Sequence, residues 1–224
     1  MLTILSAICL WLAITTGGVL LFCPVATSNT LVLALLFFNN LNILIAICEI
    51  LLGYHISNIQ QDYKGFKEQY KGREIQAVWA YLFLSIPNPF DGRAWSKMWS
   101  TYSLYDPSYQ NQESFGFFID VGNGLTTIPP CLLWNYVLAF PKTTLVSPLL
   151  VGCIGIACYW QIWYGTLIYF FSFFFNQRYA GKSWKEVVGF VGCTNGIWLF
   201  FPLLGIFAAV EMLRDGSFKV FEEA

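Results

Sequence analysis

The stretch TLVLALLFFNNLNILIAICEILLGY, residues 30–54, carries one ionisable carboxylate, Glu49, in an otherwise apolar run. A bilayer core about 30 Å thick takes ~20 apolar residues per helical span, so this stretch reads as a transmembrane helix. Ser28 or Asn29 stands where an N-cap belongs. Four more stretches share its character: Leu2–Cys23, Phe115–Phe140, Pro148–Phe175 and Val187–Leu213. Pro24 closes the first, Ser147-Pro148 opens the fourth, and Ser183-Trp184-Lys185-Glu186 reads as a capping box ahead of the fifth. Pro129-Pro130 in the third and Pro202 in the fifth remove backbone donors and should kink their helices.

Composition agrees. Of 224 residues, 57% are hydrophobic, 19% aromatic and 11% charged, against about 25% charged in soluble domains. Twelve Lys+Arg against thirteen Asp+Glu leave a net charge of −1, which offers no basic field for nucleic acid. The expected fold is all-α: a polytopic membrane protein, a five-transmembrane-helix bundle in a single membrane domain over 1–224, with an amphipathic, interfacial insert between the second and third helices. Residues 1–25 are expected as a retained signal anchor, because the apolar run is too long for a signal peptide and lacks a basic start. Small residues near Ala26 are the alternative, a cleavage site.

The insert, 55–114, holds six of the twelve cations: Lys64, Lys67, Lys71, Arg73, Arg93 and Lys97. Tyr63, Phe66 and Tyr70 recur at helical spacing, as in a helix lying on a membrane surface. The apolar run Ile75–Ile86 is too short to span and stops before Pro87, so it reads as interfacial or re-entrant. The positive charge on the loops favours the N-terminus inside.

Nucleotide, hydrolase and metal patterns are missing, so no cofactor or metal is expected. His55 is the one histidine, and the seven cysteines lie mostly in apolar runs, as small core residues. Gly192 and Gly196 form a GxxxG, which reads as a close-packing face.

Polar side chains at membrane depth need a partner or a wet cavity. Glu49 and Asp120 are the acids so placed. Helical spacing puts Asn42 on the face of Glu49, and Asn123 and Thr127 on that of Asp120. Gln161 and Tyr164 mark the fourth span, and Asn195 and Trp198 the fifth. If these stripes face one another, they line a mostly apolar pocket with a few convergent polar groups. Otherwise they are hydrogen bonds between packed helices.

The run Trp99-x-x-Tyr102-x-x-x-Asp106-x-x-Tyr109 resembles the motif that leads into the third span in the EXPERA superfamily, in its emopamil-binding branch of sterol Δ8–Δ7 isomerases. Asp120 stands at the family's embedded Glu, and Pro129 at its proline. Gln161-Ile162-Trp163-Tyr164-Gly165 with Tyr169-Phe170, and Thr194-Asn195-Gly196-Ile197-Trp198-Leu199 with Pro202, are similar to its later helices. The resemblance covers residues 40–213. It implies a sterol-sized cavity within the last four spans and residence in the endoplasmic reticulum. Glu49 and Asp120 would trade protons, with Trp198 facing the carbocation and Asn195 orienting it; Asn42, Asn123, Thr127, Gln161 and Tyr164 would line the ligand. The chain departs from the family at Ile45, where the isomerase has His, at Asp120 for Glu, at Asn123 for Thr, and in its longer insert. The family's orientation is also opposite to that favoured by the charges.

Three readings follow: a sterol isomerase; a sterol or lipid binder without chemistry, as in the sigma-two receptor branch; or an accessory subunit of a larger photosynthetic or respiratory complex in a plastid or mitochondrial membrane. The partners are a sterol or other lipid, the membrane, and a second copy or host complex. In the third reading His55 would ligate a chlorophyll or haem; elsewhere it is a solvated interfacial side chain.

Overall fold

The computed structural model describes residues 2–22 and 28–222. Pro24 and the small residues near Ala26 lie outside them. The helices are α1 (Ile4–Phe22), α2 (Thr30–Tyr54), α3 (Ile56–Gln69), α4 (Glu74–Leu82), α5 (Gly92–Tyr102), α6 (Ile119–Thr126), α7 (Ile128–Ala139), α8 (Pro148–Phe175), α9 (Trp184–Asp215) and α10 (Lys219–Glu222). Four of them, α1, α2, α8 and α9, are long and apolar enough to cross a membrane. This is the pattern of a multi-pass helical membrane protein.

Local chemistry explains most boundaries. Asn29 Oδ1 accepts from the backbone N–H groups of Leu31 at 3.0 Å and Val32 at 3.2 Å, capping α2. Asp91 does the same for α5, accepting from Arg93 at 3.0 Å and Ala94 at 3.2 Å. The third apolar stretch divides into α6 and α7 at Thr127, with Pro129 and Pro130 in the first turn of α7, where no intrahelical donor is needed. Pro202, by contrast, sits inside a continuous helix from Cys193 to Asp215. Ser183 does precede α9, but its side chain caps nothing, and Glu186 accepts from Tyr105 Oη at 2.7 Å instead. The expected capping box gives way to this longer-range bond.

The described chain forms two compact units. The first comprises Met1–Cys9, Ala46–Leu125 and Gly165–Gly196. Its core gathers Trp99, Tyr102, Tyr105, Tyr109, Phe117, Tyr169 and Phe173 with Cys48, Leu52 and Ile59. Tyr63 and Phe66 of α3, with Tyr70 at its C-cap, pack against this cluster, so the helix turns its aromatic stripe to protein. The run after α4 pairs with the start of the chain, Ile4 N–H to Leu84 O at 3.1 Å and Ile86 N–H to Leu2 O at 2.9 Å. Among the described residues a Cβ on Gly196 would meet nothing within 4 Å and one on Gly192 only Val187 O, at 3.7 Å, so the GxxxG holds no close helix contact there.

The second unit comprises Leu10–Ile45, Thr126–Tyr164 and Ile197–Ala224. Three asparagines of α2 tie it together. Asn39 accepts from Tyr159 Oη at 2.9 Å; Asn40 donates to Thr16 at 3.1 Å and accepts from Asn135 at 2.8 Å; Asn42 accepts from Trp198 Nε1 at 2.8 Å. One short polar run thus reaches α1, α7, α8 and α9. In hydrocarbon such bonds hold helices in register, each worth about 0.6 kcal/mol on average. Trp134 fills the middle, edge-on to Tyr159 at 4.9 Å between ring centroids.

Candidate functional site

In the first unit α6 runs closely along α2. A Cβ on Gly124 would lie 2.8 Å from Ala46 O and 2.9 Å from Glu49 Cβ, so only glycine permits this approach. One turn away, Gly53 meets Val121, whose methyl carbons would lie 3.4 Å from an added Cβ. Asp120 and Gly124 are four residues apart, as are Glu49 and Gly53, so each pair shares a helix face. Glu49 opposite Gly124, with Gly53 opposite Val121, puts the two acids about one helical turn, ~5.4 Å, apart in register. Glu49 is buried, and Asp120 is half-buried. Asn123 lies by Gly165, its Nδ2 3.8 Å from where a Cβ would be.

Asp120 accepts a hydrogen bond from Tyr109. Tyr109 is 3% exposed, its ring 5.0 Å from Trp99 and 5.1 Å from Tyr102. Burial, then the neighbouring Asp120 charge, pushes its phenol well above the usual range, so it stays a proton donor. Asn195 Nδ2 donates to Tyr102 Oη at 2.6 Å, and Tyr102 and Tyr169 share a hydrogen bond at 3.1 Å. Tyr169 also bonds Asp106.

Asp106 closes this network. Its side chain is fully buried, accepts from Ser108 N–H at 2.9 Å and pairs with Arg178 Nη1 at 3.2 Å; Arg178 also holds Glu113 at 2.5 Å. Burial raises the Asp106 carboxyl above its usual 3.8, while the Ser108 N–H and then the Arg178 charge pull it down. Gly116 reaches φ +125° beside Ser108, where a Cβ would sit 2.1 Å from the serine Oγ. Trp99 Nε1 donates to Cys48 O at 2.7 Å, anchoring α5 to α2 one residue before Glu49.

No family model, curated protein or solved structure matches this chain.

The remaining predicted residues belong to the second unit. Trp198 and Asn42 come together, and Asn42 Nδ2 also lies 3.5 Å from Cys131 Sγ. Gln161 Nε2 donates to Thr126 Oγ1 at 2.6 Å, next to the buried Thr127. Tyr164 is half-exposed and stacks on Trp160 with centroids 6.0 Å apart. His55 belongs to the first unit, where its Nδ1 lies 3.4 Å from Asn58 Nδ2 and its Nε2 is close to Gly92. The site residues that sequence reading did not single out are Arg178 and Gly124; Tyr169 entered only with the family resemblance. A cation just past a span and a glycine four residues after an acid were the available signals.

Proposed function

We propose that this chain is an EXPERA-like membrane protein with five spans, the third being the broken pair α6–α7, and 55–114 as its insert. It holds a sterol-class lipid and moves a ring double bond from Δ8 to Δ7. Glu49 and Asp120 exchange the protons. One carboxyl protonates the C9 end of the alkene, leaving a cation at C8, and the other takes a proton from C7, so the sterol gains one proton and loses one. One carboxyl enters the cycle protonated and the other ionised, and the two exchange these states in each turnover. The Gly124–Glu49 approach carries this reading, because its register leaves Asp120 about one helical turn from Glu49, an acid within the apolar helix α2. Tyr109 orients Asp120, and Asn195 acts through Tyr102. The endoplasmic reticulum is the proposed location by family analogy.

The test is to supply a Δ8-sterol to membranes containing the protein and to analyse the extracted sterols by mass-spectrometric chromatography. A Δ7 product above that of empty membranes supports the proposal, and its absence overturns it. Ile45, where the resembled isomerase has His, favours a second reading: the same site binds sterol without turnover. Sterol photolabelling that is lost in Glu49→Gln, with no Δ7 product, identifies that case.

A further inference from the structure

Within the first unit, α3, α4 and α5 border a partly open cavity of about 140 Å³, lined by Phe66, Tyr70, Ala80, Leu84, Lys97 and Thr101. Its size is near the ~150 Å³ apolar cavity that admits benzene, so it takes an alkyl segment but not a sterol. Two of its polar groups lack partners. Among the described residues Lys97 has no carboxylate within ion-pair distance, and Thr101, 2% exposed, has no hydrogen-bond partner for its Oγ1. An ammonium and an orphaned hydroxyl on aromatic and aliphatic walls ask for an oxyanion joined to an alkyl chain.

The surroundings point to the membrane as its source. Lys64, Lys67, Lys71 and Arg73 are exposed on and after α3. Trp79 and Phe83, 53% and 60% exposed, stack at 6.2 Å on the α4 side. Basic side chains and exposed aromatics together mark a segment at an anionic lipid interface.

We propose that this cavity binds an anionic amphiphile, a carboxylate or phosphate head on an alkyl tail, with Lys97 and Thr101 on the head and Phe66, Tyr70, Ala80 and Leu84 on the chain. The full-length protein is placed in phosphatidylcholine nanodiscs containing either a minor fraction of photoreactive phosphatidylglycerol or a photoreactive fatty acid, and the cross-linked peptides are mapped. Labelling falls on Phe66–Tyr70 or Ala80–Leu84. Lys97→Gln lowers it about tenfold and Thr101→Val about threefold, while Lys97→Arg retains it. Lys71→Gln, outside the cavity, leaves it unchanged. Labelling in the phospholipid arm identifies a bilayer lipid as the ligand, and labelling in the fatty-acid arm alone identifies a free acid. The proposal is overturned by labelling in neither arm, by labelling indifferent to both Lys97→Gln and Thr101→Val, or by an equal loss in Lys71→Gln, which would signal general surface attraction.

Discussion

Gly124 is the residue on which the spacing of the two acids rests. An added methyl would meet Ala46 O and the Glu49 side chain below 3 Å, and backbone atoms cannot yield as a flexible side chain can. Gly124→Ala should therefore separate α6 from α2 at about 1–3 kcal/mol. A lower apparent melting temperature in detergent, together with lost sterol turnover, is the expected pair of results; unchanged values for both would refute the close approach. Asp106 gives a pH signature. Its carboxyl is raised by burial, so between 3.8 and its raised value the folded protein holds more protons than the unfolded chain. Stability should fall as pH rises through that window. Asp106→Asn should flatten this part of the melting-temperature profile, and an unaltered slope would contradict the assignment.

At the scale of elements, α2 organises the second unit through Asn39, Asn40 and Asn42. Asn40→Leu leaves Thr16 and Asn135 without that partner, and it should cost about 1 kcal/mol, read as a lower melting temperature with the helix content kept. The bounds of α2 were legible in residues 30–54, since apolar length and an Asn cap are local properties. The break before Pro129-Pro130 was legible for the same reason. Glu186 was misread as a capping-box partner because its bond to Tyr105 spans distant sequence. The aromatic stripe of α3 was legible as a face, but periodicity does not say whether protein or lipid covers it.

For the whole molecule, the sequence displays the chemistry more clearly than the pairing. Glu49 and Asp120 stand out as acids in apolar runs, and the Trp99–Tyr109 motif as a pattern. Its burial around Tyr169 and the ion pair with Arg178 depend on contacts that no local rule foretells. A self-contained isomerase should run on a native gel as a monomer or dimer of the 25.5 kDa chain, and a much larger particle would favour the accessory-subunit reading. The most direct measurement is Δ8-sterol turnover in deuterated water, with mass analysis of the product. The account predicts a Δ7-sterol carrying one deuteron from the protonating carboxyl, formed by the native protein and lost in Glu49→Gln. A Δ7 product without deuterium, or one formed equally by Glu49→Gln, would contradict it.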